Sequence, residues 1–205
     1  MISRACRVLL LASLATAPLG AQVRLGLLAG GVSANVTTAT VDQIPNKSSQ
    51  TGFMAGVSAT ASIGKRLSFG PEVAYVQKGV KAQDNSHTVN EDVKVSYLEV
   101  PLLLRANLGT GSIRPYLLGG PSFAIKTGCK LRLYGAGTDT TRNCKDVNAD
   151  VESSDFGVMV GGGIGFGRFA LSVRYDMGMK NINKKSVGND AVKNRTVMGV
   201  VSVAM

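Results

Sequence analysis

Along most of the chain apolar and polar residues alternate one for one, and the alternation restarts after each cluster of glycine and polar residues. In SYLEVPLLLRANLG, residues 96–109, Leu98, Val100, Leu102, Leu104, Ala106 and Leu108 share one side. Tyr97, Glu99, Leu103, Arg105 and Asn107 share the other. A period of two is the mark of a strand whose faces meet different surroundings. Val23, Leu25, Leu27 and Ala29 oppose Arg24, Gly26 and Gly30 in the same way, and Phe53, Ala55, Val57 and Ala59 oppose Gly52, Gly56, Ser58 and Thr60. Leu67, Phe69, Val73 and Tyr75 oppose Ser68, Gly70, Glu72 and Lys78. The split returns around Ile113–Phe123, Phe156–Phe166, Phe169–Met179 and Val197–Met205, which makes eight predicted strands.

The connections alternate as well. GKR (64–66), GTGS (109–112) and GR (167–168) predict tight turns. Long polar stretches at about 35–50, 80–93, 127–154 and 181–194 predict loops at the other end. Short turns at one end, long loops at the other and strands near the ~9–11 residues of a tilted crossing describe an all-β, eight-stranded antiparallel up-and-down transmembrane barrel. The short turns and the termini then face the periplasm. The alternative is a small soluble periplasmic ligand-binding barrel with its apolar face inward, for which more even loops are expected.

A barrel of eight strands is only wide enough to be filled by its own side chains. Its inner face therefore has to pack small residues and pair its charges. Arg24, Arg105, Arg114 and Arg174 fall on that face with Glu72, Glu99, Asp155 and Asp176, four of each sign, and are expected to form a salt-bridged plug. On this reading, removing Glu99 would strand a buried arginine. The glycines of GVMVGGGIGFG leave room on the inner wall and do not have the spacing of a dinucleotide fingerprint. Outward aromatics fall in two sets expected to form interfacial girdles: Phe69, Phe166 and Phe169 beside the short turns, and Phe53, Tyr75, Phe123 and Phe156 towards the loops.

Composition and charge then place the barrel. Residues 1–21 carry Arg4 and Arg7 ahead of the apolar stretch Val8–Leu14 and end on a small-residue site at Ala21, as a cleaved export signal does. The barrel domain would occupy residues 22–205. Cys6 leaves with the signal, so Cys129 and Cys144 are the pair left in an oxidising compartment, where a disulfide is expected. The formal charge is +10, and much of the surplus falls on loops. Lys180, Lys184, Lys185, Lys193 and Arg195 face Asp190 alone, and Lys126, Lys130, Arg132, Arg142 and Lys145 add a second group. In this topology they meet a phosphate-rich outer leaflet, so outer-membrane lipid and lipopolysaccharide are the expected contacts.

Other chemistry is weakly signalled. The single histidine, His87, lies in KAQDNSHTVNED near Asp84, Glu91 and Asp92, without a catalytic arrangement or the ligand spacing of a calcium loop. No enzyme activity, metal or cofactor is expected. Nucleic acid is discounted for an exported chain with no recognition module.

The segments YLEVPLLL and PYLLGG, with DFGVMVGGGIGF and LSVRYDMGMKNI, resemble the PorT-like outer-membrane β-barrel domain family over essentially the whole mature chain. The resemblance implies a small barrel in the outer membrane, inserted by the barrel-assembly machinery, in a functionally mixed family that includes a secretion-system subunit. The chain departs from the family at its end, where Met205 replaces the usual aromatic residue.

Overall fold

The computed structural model describes residues 23–38, 48–83, 90–135, 137–147, 152–180 and 192–205. The export signal expected over 1–21, with Cys6, lies outside them, as do Asp84, His87, Lys184 and Lys185.

Nine strands run in chain order: β1 (Val23–Thr38), β2 (Ser48–Ile63), β3 (Leu67–Gln83), β4 (Asn90–Asn107), β5 (Ile113–Gly135), β6 (Thr138–Asn143), β7 (Ser154–Phe166), β8 (Phe169–Gly178) and β9 (Val192–Ala204). All pairings are antiparallel. Neighbours in sequence pair as in a meander, β1 pairs with β9 and β4 with β5, and β7 pairs with β5 across the short β6. Eight strands thus close a ring and leave no free edge. β6 is an offshoot that pairs only with the far end of β5.

The tight turns stand where the sequence places them. Gly64 (φ +69°) and Gly167 (φ +56°) adopt left-handed backbone, which suits a residue without a Cβ. The start of β1 and the end of β9 meet at this end: the Met205 amide donates to the Leu25 carbonyl and the Ala204 amide to that of Arg168. The opposite ends of the strands reach further than the alternation indicates. β3 and β4 continue to Gln83 and from Asn90, so only the middle of the 80–93 stretch is left between them. Most of the 127–154 stretch is also structured, as the end of β5, the whole of β6 and a 3-10 turn over Cys144–Val147. Polar strands here stand beyond the apolar band, where period-two patterning no longer marks a buried face.

The barrel is apolar outside. Leu25, Leu27, Val57, Leu104, Leu117, Ile164, Leu171, Val173 and Val201 all project outward, with Val173 63% exposed. A continuous apolar band of this kind requires hydrocarbon rather than water, which excludes the soluble inward-apolar alternative. Phe166 and Phe169 stack at 6.1 Å beside the GR turn, and Phe53 and Tyr75 meet at 5.7 Å towards the loops.

The lumen differs from expectation in its packing. Its middle is a packed apolar layer that includes Leu28, Val32, Met54, Val76, Leu103, Met159, Met198 and Val200, all at most 6% exposed, rather than small residues and ion pairs alone. These residues sit where apolar runs such as Leu27-Leu28 and Leu102-Leu103-Leu104 interrupt the alternation, because there both faces are apolar.

Candidate functional site

Above the apolar layer, towards the loops, the inner faces of β3, β4 and β8 converge on one cation. Lys78 Nζ lies 2.8 Å from Glu99 Oε2 and 2.6 Å from Asp176 Oδ2, with all three side chains almost fully buried. Ser122 Oγ donates to Asp176 Oδ1 at 2.7 Å, and the Tyr97 ring covers the ammonium at 5.8 Å. Asp155 accepts from Asn194 Nδ2 at 2.7 Å. Val95, Tyr97 and Ala124 form a second small apolar cluster at this level, joined by Val93 and Cys129. The lumen is therefore closed by packed side chains, in keeping with the width of an eight-stranded ring.

A second pair joins β3 to β8: Arg174 grips Glu72 through two nitrogens at 2.5 and 3.2 Å, with Nε on Ser172 Oγ at 3.2 Å. A forked pair of this kind fixes geometry as well as charge. Across β7, Gly163 gives the Tyr116 ring its place, since a Cβ there would lie 2.8 Å from the ring's Cζ and hydroxyl.

The eight residues expected to form a single plug are thus divided. Glu72 pairs with Arg174, while Glu99 and Asp176 both pair with Lys78, a cation that the expected set omitted although its position on β3 faces inward. Removing Glu99 therefore strands no arginine. Asp155 is held by an amide. Arg24, Arg105 and Arg114 have no carboxylate within ion-pair distance among the described residues. Arg105, on the same face as Glu99, lies six residues further along β4, at about 3.3 Å a residue, and so stands at the short-turn end.

That end opens into a vestibule of about 490 Å³. Arg24, Lys65, Arg105, Arg114 and Arg168 line it, with the hydroxyls of Ser58, Thr60, Ser62, Ser68 and Ser202, and no carboxylate does. The Arg105 guanidinium carbon lies over the Tyr116 ring, 3.5 Å from its centre, and its Nε donates to Asn107 Oδ1 at 3.3 Å. Gly165 leaves room for its head, as a Cβ there would come within 3.1 Å of Nη2. Arg114 Nη2 donates to the Gly167 carbonyl at 3.1 Å.

Among the described residues, the loop cations stand apart from one another. Lys180 is paired with Glu152 at 2.8 Å and Ser154 at 3.0 Å. Lys193 and Arg195 alternate with the inward Asn194 and Thr196, so they project from the outer wall of β9 just past Val197. Cys129 and Cys144 are joined by a disulfide with Cα atoms 5.4 Å apart, which ties β6 back to β5. On this hairpin Arg132 forks onto Asp139 at 2.6 and 2.9 Å and holds its carboxyl below the usual carboxylate range. Lys130 and Arg142 are exposed beside it. Among the described residues, no three His, Cys, Asp or Glu side chains are grouped to hold a metal ion.

Among solved structures the chain is similar to Neisserial surface protein A, at 16% identity over 87% of this chain and 96% of that one, with a TM-score of 0.48. It is also similar to Ail, the attachment invasion locus protein of Yersinia pestis, at 15% identity over 90% and 99% with a TM-score of 0.44. OprG from Pseudomonas aeruginosa matches at 13% identity over 89% and 94%, with a TM-score of 0.46. A search of the curated proteins finds no match. The family model described as "Outer membrane protein beta-barrel domain" matches residues 12–184. The closed ring, its apolar outer wall and this match agree: the chain belongs to the outer membrane β-barrel domain family.

Proposed function

We propose that this barrel acts at the cell surface, as a rigid base whose outer end engages anionic lipid or polymer. The carrying observation is the position of Lys193 and Arg195, which alternate with the inward Asn194 and Thr196 immediately beyond the apolar band; on this reading that boundary meets the outer leaflet's headgroups. Long cationic side chains at such a boundary extend their charge to phosphate while their stems stay against hydrocarbon. The disulfide-tied β5–β6 hairpin adds Lys130 and Arg142 above it. The test is binding of the purified protein, in uncharged detergent, to lipopolysaccharide and to the same material stripped of phosphate. Binding that weakens at least fivefold on dephosphorylation and in K193Q/R195Q supports the reading, and equal binding to both materials overturns it.

A second reading follows from the PorT-like likeness of YLEVPLLL and PYLLGG: the barrel is a subunit of a secretion or assembly apparatus. Cross-linking through the β5–β6 hairpin in intact cells would then capture a fixed set of envelope proteins. Both readings include export through residues 1–21 and insertion by the barrel-assembly machinery, so protein taken from outer membranes should begin at Gln22.

A further inference from the structure

We propose that the vestibule at the short-turn end is a binding site for an oxyanion of the phosphate class, entered from the periplasmic side. Five cations line it without a carboxylate among the described residues. Like charges gathered around one cavity repel one another unless compensated, and elsewhere in this lumen compensation is supplied by the chain itself, as at Lys78 and Arg174. In the vestibule it is not.

The two guanidiniums nearest the ring are oriented by neutral groups. Arg105 is held by the Tyr116 face and Asn107, and Arg114 by a backbone carbonyl. Each has five N–H donors, of which these contacts use one. The remaining donors are therefore fixed in direction and unneutralised, which is the arrangement that grips a phosphate with two parallel hydrogen bonds. Serine and threonine hydroxyls on β2, β3 and β9 supply further neutral donors around the same space. Asn107 is itself anchored, its amide and its side chain both donating to the Arg66 carbonyl, at 2.8 and 3.3 Å. A volume of about 490 Å³ admits a ligand larger than phosphate itself, such as a phosphate ester. The apolar layer behind the vestibule stops passage, so the ligand is held rather than conducted.

The probe is inorganic pyrophosphate, added to the folded full-length protein in uncharged detergent, with arginine Nε–H resonances followed by NMR. Saturable shifts of Arg105 and Arg114 are expected, with affinity reduced tenfold or more in R105Q/R114Q and unchanged in K193Q/R195Q at the other end. Slower migration on heating verifies that each variant is folded. Should R105Q/R114Q fail to fold, R105K/R114K keeps the charge but loses the fork, and it should still bind several-fold more weakly. The titration repeated in bilayer discs identifies the natural source: competition by anionic phospholipid indicates a lipid headgroup, and undiminished pyrophosphate binding indicates a soluble phosphate compound. Shifts that chloride reproduces at equal ionic strength, or an affinity that is undiminished in the glutamine or lysine double variant, would overturn the site.

Discussion

The two ends of this lumen treat charge in opposite ways. Towards the loops, Lys78 is enclosed by Glu99 and Asp176 and sealed beneath Tyr97. Towards the short turns, Arg105 and Arg114 are held by an aromatic face, an amide and a carbonyl, and stay open to a vestibule. The first arrangement is complete within the chain. Its charges are close, buried and hydrogen-bonded, so they contribute rigidity but offer nothing to a ligand. The second keeps donors unneutralised at modest cost, because water still reaches them. Burial and compensation thus distinguish a structural charge cluster from a receptive one, although both are built from inward-facing residues and β4 contributes to each, through Glu99 and Arg105.

The largest effect is expected from Lys78→Met. It leaves two buried carboxylates without their cation, a loss of about 3–5 kcal/mol, read as a lower urea midpoint for conversion to the heat-unfolded gel form. Glu99→Gln should cost less, since Asp176 still holds the lysine. At the opposite end, R105Q/R114Q should change the same midpoint by less than about 1 kcal/mol: the contact with Tyr116 contributes on that order, and relief of repulsion offsets part of it. A drop as large as that of Lys78→Met would show that the short-turn end is as tightly built as the other and would erase the comparison. The smallest effect on the barrel is expected from Cys129→Ser. The disulfide closes a loop of sequence separation 15, for which chain entropy gives roughly 3 kcal/mol. That loop lies outside the ring, so the heat shift should persist while residues 130–143 become open to protease.

Much of this was legible in the sequence. Alternation in segments such as Val23–Ala29 and Phe169–Met179 specifies which side of each strand meets lipid, because hydrocarbon accepts one kind of side chain only. The GKR, GTGS and GR turns order the strands into a meander. The Cys129–Cys144 bond is a matter of counting, since these two are the one cysteine pair left once residues 1–21 are set aside as an export signal.

What alternation could not supply is who pairs with whom across the lumen. Glu99 and Arg105 share a face of β4 yet meet different partners, Lys78 for one and Tyr116 for the other, and Lys78 meets Asp176 across 98 positions of sequence. The polar offshoot β6 was hidden for a related reason, since a hairpin in water has no buried face to pattern. The sequence by itself determined the barrel, its outer wall and the side of each charge, because those depend on local periodicity against two solvents. Only the tertiary structure decided which charges are neutralised and which stand open, because that depends on the register and tilt with which distant strands close the ring.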